Sequence, residues 1–180
     1  MKIDIYDFDL TLFRSPEPPD WWNKKEHGSW TSTYHSLGMP FVPTRAPSSY
    51  WIKNVVRSAK QSISDFDTWT ILCTGRIDRI SLRYRIAELL KQESLNFDEV
   101  FLNNLGSKTP FFKKWVTYQT LKKYPFVTKV QMWEDTQENL DEVEALCLKL
   151  GVEFKGRLVT KNPHPLPQIK KSDYETFMSK

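Results

Sequence analysis

Asp7 and Asp9 stand two positions apart, with Phe8 between them and Thr11 close behind, directly after the apolar and aromatic run 2–6. In extended backbone, positions i and i+2 project to the same side, so both carboxylates can face one site. Two anions this close call for a counter-charge, and a hard divalent ion such as Mg2+ supplies one through oxygen ligands. A solvated loop or a helix cap would account for one aspartate but less well for two after a buried strand.

A second acidic pair, Glu134 and Asp135, also follows a strand-like run, 129–133. That position suits metal ligation, while the competing reading is a charge pair favoured by a helix amino terminus. His27, His35 and His164 are too scattered to define a metal centre or a Ser-His-Asp arrangement. Gly75, Gly106 and Gly151 do not make a nucleotide-binding glycine loop, so ATP use is not implied.

The elements that must position these residues alternate. The run 2–6 reads as a first strand. Pro16, Pro18, Pro19, Pro40, Pro43 and Pro47 then make 14–47 an irregular insert. A helix capped near Ser48 would carry Trp51, Ile52, Val55, Val56 and Ala59 on one face. The segment 68–73 is a compact apolar strand with Thr74-Gly75-Arg76 as its exit turn, and Ile77, Ile80, Tyr84, Ala87 and Leu90 trace the next helix. A weaker strand spans 99–102. Thr109 caps the following helix, with Pro110 at its first position and Phe112, Trp115 and Val116 as anchors. After strand 129–133, a helix carries Leu140, Val143, Cys147 and Leu150 and ends at Gly151. A fifth strand at 153–159 precedes a polar tail, 161–180. Alternating strands and helices predict a parallel sheet covered on both faces, with ligands at the carboxyl ends of the strands.

The chain has 180 residues, 39% hydrophobic and 27% charged, enough for one core and too few for two ordinary domains. The reading is therefore one domain over 1–180. No apolar run approaches the roughly 20 residues of a membrane span, and acidic residues interrupt the amino terminus where a signal peptide needs an apolar core. Cys73 and Cys147 lack metal or redox spacing and read as buried thiols, which suits a cytoplasmic chain. A formal charge of +4 favours polyanionic partners without requiring them.

Asp7-x-Asp9-x-Thr11 after a hydrophobic strand, Thr74 in Ile-Leu-Cys-Thr-Gly-Arg, a lysine near 113 and the pair Glu134-Asp135 occur in the order of the haloacid dehalogenase-like (HAD) superfamily, which the chain resembles. Leu-Phe-Arg-Ser-Pro-Glu-Pro at 12–18, the Trp-rich insert, Thr-x-x-Phe-Lys at 109–113 and Tyr124-Pro125 look most like the HAD-type domain of Swiss Army Knife RNA repair proteins. The resemblance implies a three-layer, Rossmann-like fold with strand order 3-2-1-4-5 and a small cap after the first strand. It implies a Mg2+-dependent phosphomonoesterase in which Asp7 forms an aspartyl-phosphate and Asp9 transfers protons. Thr74 would donate to a phosphate oxygen, and Lys113 would offset charge, with Lys108 and Lys114 as competitors. Asp7, Asp9, Glu134 and Asp135 would hold the metal. Thr11, Gly75 and Arg76 would lie around the substrate, although Thr74 could be only a turn residue and Arg76 only a salt-bridge partner.

Trp21, Trp22, Trp30 and Tyr34 alternate with Arg14, Lys24 and Lys25 in the insert. Such a mixture can stack on bases while cations meet phosphates, which makes Trp22 a candidate substrate contact and a nucleotide or nucleic-acid end the expected substrate. The same aromatics could instead staple the loop to the domain. A small-metabolite phosphatase and a silent module that binds RNA or protein are the alternatives.

Overall fold

The computed structural model describes residues 1–160, 166 and 168–179. The strands β1 (Lys2–Tyr6), β2 (Thr68–Ile77), β3 (Glu99–Asn103), β4 (Lys129–Glu134) and β5 (Glu153–Leu158) form a five-stranded parallel sheet in the order β3-β2-β1-β4-β5. Parallel strands need crossovers, and the crossovers here place α2 (Lys53–Ser64) and α3 (Ile80–Gln92) on one face, with α4 (Thr109–Lys123) and α5 (Gln137–Lys149) on the other. The three-layer α/β architecture and the strand order expected above are both present. A short helix, α1 (Lys24–His27), lies in the insert, and α6 (Lys171–Met178) closes the described chain.

Strand periodicity decides which way the chemistry faces. Ile3 and Ile5 pack among Phe112, Val116, Leu140 and Val143, whereas Tyr6 packs with α2 and α3. Asp7 continues the Ile3–Ile5 alternation and meets α4. Because β1 lies between β2 and β4, the ends of all three strands converge on one edge. Tyr6, Ser62 and Asp4 form a buried polar chain beneath it, with hydrogen bonds of 2.8 and 2.6 Å.

Several boundaries differ from expectation. The serines of 48–50 make a 3-10 turn, and α2 starts only at Lys53 with no side-chain cap. Trp51 and Ile52 precede the helix because the Ile52 N–H donates to the Leu12 carbonyl and Trp51 bridges Phe13. β2 continues through Thr74, Gly75 and Arg76, so these are strand residues rather than an exit turn, and its register with β3 shifts between Thr74 and Ile77. Since the strand claims Ile77, the packed face of α3 is Leu82, Ile86, Leu89 and Leu90, leaving Ile80 and Tyr84 exposed. Thr109 and Pro110 are the first helical residues of α4, after Lys108, so Thr109 caps nothing. Leu150 is exposed, while Gly151 ends α5 at φ 69° as expected.

The tail is more than polar. Tyr174 of α6 enters an aromatic cluster with Trp30 and Phe41, against which Trp21, Trp22 and Ile169 pack. The Trp21 indole donates to the Ile169 carbonyl at 2.9 Å. From the other side, the buried Arg85 donates to the carbonyls of Leu37, Pro43 and Thr44 at 2.8, 2.7 and 3.0 Å. The insert, whose internal backbone hydrogen bonds are those of local turns and short helices, is thus held by α3 and α6 together. His164 lies outside the described residues. Replacing Tyr174 with Ala should cost about 3 kcal/mol locally, and hydrogen exchange should speed up across 21–41 while the sheet amides keep their protection.

Candidate active site

Phe8 to Phe13 make a tight turn at the end of β1. Leu12 and Phe13 donate their N–H groups to the Phe8 carbonyl at 3.1 and 2.9 Å, and Leu10 donates to Phe13 at 2.7 Å. Leu10 adopts φ 56°, a left-handed conformation that a bulky side chain takes only when its surroundings enforce it. The turn directs Asp7 and Asp9 into a cleft of about 690 Å³. Gly75, Arg76, Lys113, Glu134 and Asp135 also line it, as do Trp30 and Thr31 of the insert.

Lys113, rather than Lys108 or Lys114, reaches the acids. Its Nζ lies 2.6 Å from Asp7 Oδ1 and also bonds Glu134 Oε2. Lys114 pairs with Glu142 at 2.7 Å on the surface, and Lys108 stays on the cleft rim. Lys113 can reach this position because α4 starts hard against β2. A Cβ at Gly75 would fall 2.5 Å from Thr109 Oγ1, so only glycine permits that approach.

Burial opposes charge on Lys113, but the Asp7 and Glu134 carboxylates outweigh it and hold the ammonium well above the ordinary lysine range. Burial raises the Asp7 pKa strongly; Lys113 pulls it back only in part, while Glu134 and Asp9 push it further up. Asp135 is raised to about 6, first by burial and then by Glu134.

Oxygens of Asp7, Glu134 and Asp135 lie within 4.8 Å of one another. With Lys113 counted, these groups carry a formal charge of −2, which one divalent cation would balance. The donor set is all carboxylate oxygen, the kind that Mg2+ takes. The buried carboxamide oxygen of Asn139 lines the same cleft without a hydrogen-bond partner among the described residues, a further hard donor. These residues therefore fit the expected ion.

Asp9 does not join that group. Arg76 holds it with Nε at 3.0 and 2.9 Å from the two carboxylate oxygens and Nη2 at 2.7 Å, and Ser15 donates a further hydrogen bond. Burial alone would raise its pKa, but the charge and hydrogen bonds of Arg76 outweigh burial and keep Asp9 below the usual carboxylate range. Asp9, expected among the metal ligands, thus stands outside the Asp7, Glu134 and Asp135 group, with its carboxylate paired to a guanidinium.

Arg76 is likewise not free for a phosphate, because its Nη1 donates to the Thr31 carbonyl at 3.1 Å and to Ser36 Oγ at 2.6 Å. Thr74 is buried, its hydroxyl 3.3 Å from Asp9 Oδ2 and accepting from the Arg76 N–H at 3.2 Å, so it supports Asp9 rather than lining the cleft. Thr11 is buried with no partner for its hydroxyl among the described residues and does not line the cleft either. Trp22 faces away: its indole donates to the Gly28 carbonyl at 3.0 Å and its ring stands edge-on to Trp30 at 4.8 Å. Trp30 takes the wall position expected of Trp22. Ser15, Thr31, Ser36 and Asn139 are additions that only the folded contacts reveal.

A parallel sheet in the order 3-2-1-4-5, with acidic residues at the ends of β1 and β4, is the architecture of HAD-like proteins. The chain belongs to HAD domain family 1 in Swiss Army Knife RNA repair proteins, whose model matches residues 10–170. The match begins just after Asp7 and Asp9, so these two enter through the fold. Uncharacterized protein YMR265C of Saccharomyces cerevisiae is 24% identical over 174 residues, covering 84% of this chain; the chain spans 38% of that relative's length.

Among solved structures, the chain is similar to part of the Pnkp1/Rnl/Hen1 RNA repair complex, at 16% identity and a TM-score of 0.56, covering 89% of this chain and 43% of that one. It is also similar to the HAD domain of effector protein Lem4 from Legionella pneumophila, at 12% identity and a TM-score of 0.58, covering 98% and 93%. These likenesses establish the fold.

Replacing Lys113 with Met would leave Asp7 and Glu134 buried without their cation. In urea denaturation without added metal, the variant should lose about 3–5 kcal/mol.

Proposed function

We propose that this chain is a Mg2+-dependent phosphomonoesterase that works through an aspartyl-phosphate on Asp7, with a nucleotide or nucleic-acid end as substrate. The observation that carries the reading is Asp7 on the cleft floor, paired to Lys113 beside Glu134 and Asp135. The family's place in RNA repair proteins supports the substrate class. Buried free Cys73 and Cys147 suit a cytoplasmic setting, and no described helix is long and apolar enough to cross a membrane.

Asp7 attacks phosphorus in line, the phosphorus–oxygen bond to the leaving group breaks, and the phosphoryl group passes to the Asp7 carboxylate. Water then attacks the same phosphorus, releasing phosphate and restoring Asp7. Lys113 holds the Asp7 carboxylate in place and offsets charge as the phosphoryl oxygens arrive. Asp9, kept as a carboxylate by Arg76, is in the form that accepts a proton from water in the second step. Its service to the leaving group in the first step requires that it carry a proton, against the pull of Arg76. Asp7, Glu134 and Asp135 would hold Mg2+, which supplies charge compensation for the phosphoryl oxygens.

A small-metabolite phosphatase is the second reading, favoured by the placement of Trp22 in the aromatic cluster instead of the cleft.

Asp7→Asn should abolish turnover of p-nitrophenyl phosphate while the melting temperature stays near or above that of the wild type. Asp9→Asn should lower turnover by about 10²–10⁴-fold. EDTA should remove activity and Mg2+ restore it. Full activity of the metal-free enzyme, or of Asp7→Asn, would overturn the mechanism.

A further inference from the structure

Ser15 bonds Asp9 inside the cleft, but its chain neighbour Arg14 lines a different hollow, together with Ser48, Trp51, Lys53 and Arg57. A second hollow of about 590 Å³ shares Ser48, Trp51, Lys53 and Arg57 and extends along α2 to Lys60. The chain passes from β1 through the insert to α2, and α2 then leads into the start of β2. The amino terminus of α2 therefore lies at the carboxyl edge of the sheet, the same edge as the cleft.

The lining has positive charge and little to neutralise it. Arg14, Lys53 and Arg57 have no acidic partner among the described residues, and the one acid in either wall, Glu93, is paired with Lys60 at 3.4 Å. Two unmade donors add to this. Trp51 is 3% exposed, yet its indole N–H has no acceptor among the described residues, and the buried Nε of Arg14 likewise has none. An indole N–H and a guanidinium can only donate, so both call for an incoming acceptor. The amino terminus of α2 begins here without a side-chain cap, presenting first-turn N–H groups and the positive end of the helix dipole.

A lining whose charge is positive apart from one paired glutamate selects an anion. The Trp51 ring packs edge-on against Phe13 at 5.0 Å and is buried, so the residue offers its N–H rather than a stacking face. Contact of this kind reads phosphate and not base identity. Two adjoining hollows that share four lining residues fit a run of phosphates better than a single ion.

We propose that Arg14, Trp51, Lys53 and Arg57 bind the phosphodiester backbone of a single-stranded nucleic acid whose terminal phosphate enters the cleft. The binding surface stands on its own geometry, and the role of the terminal phosphate rests on the function proposed above.

The test uses the full chain and a fluorescent single-stranded oligonucleotide without a terminal phosphate, followed by anisotropy across a salt series. Lys53→Ala/Arg57→Ala should bind at least 10-fold more weakly than the wild type at low salt. The slope of log affinity against log salt should fall by about 1.4, at about 0.7 for each phosphate that a cation no longer neutralises. Its melting temperature and p-nitrophenyl phosphate turnover should match the wild type, since both side chains are exposed and outside the cleft. Trp51→Phe, which keeps the ring and deletes the N–H, should weaken binding on its own. Unchanged oligonucleotide affinity in the double variant would overturn the proposal. So would competition by polyglutamate as effective as competition by unlabelled oligonucleotide. If oligonucleotide binding depends on these residues while no phosphomonoester is turned over, the backbone site stands and the phosphatase reading falls.

Discussion

The Lys113 ammonium is buried between Asp7 and Glu134, and a charge in that position has to be paired. That requirement fixes much else. It sets the closeness of α4 to β2, which in turn demands glycine at position 75. It also sets the rotation of α4, since Phe112 and Val116 must stay in the apolar layer while Lys113 reaches the strand ends. The excess of negative charge remaining around the lysine is what makes the site suited to a divalent cation.

A second pairing, between Asp9 and Arg76, ties the catalytic turn to the insert. Arg76 directs its remaining donors to Thr31 and Ser36, so the wall of the cleft is referenced to the same carboxylate that is proposed to transfer protons. Arg85 and Tyr174 hold the insert from α3 and α6. The site is thereby assembled from β1, β2, β4, α4 and the insert.

Much of this is legible in the sequence, for definite reasons. The strands and both acidic pairs can be read because parallel strands are short apolar runs and their ends collect polar residues, whereas the strand order follows from the family resemblance. Lys113 is matched by the family motif beside Lys108 and Lys114, and its contacts with Asp7 and Glu134 decide among the three. The boundaries of α2, α3 and β2 depart from the sequence pattern where local periodicity competes with tertiary pairing. Ile52 serves Leu12 before the helix begins, and Ile77 belongs to the strand. The roles of Arg76, Thr74 and Trp22 are not legible, since a side chain's commitment to Asp9 or to an aromatic cluster depends on neighbours far away in the chain. Ser15 falls in the run 12–18 that carries the resemblance, but neither its bond to Asp9 nor the place of Asn139 in the cleft follows from spacing.

The central claim is that Asp7 carries the phosphoryl group during turnover. Rapid acid quench of the enzyme with p-nitrophenyl phosphate and Mg2+, followed by peptide mapping, should find the added mass of one phosphoryl group on the peptide containing Asp7 and on no other. The adduct should disappear on brief treatment with hydroxylamine, as an acyl phosphate requires. A stable adduct on a different residue, or steady turnover with no acid-trapped adduct at any quench time, would contradict the account.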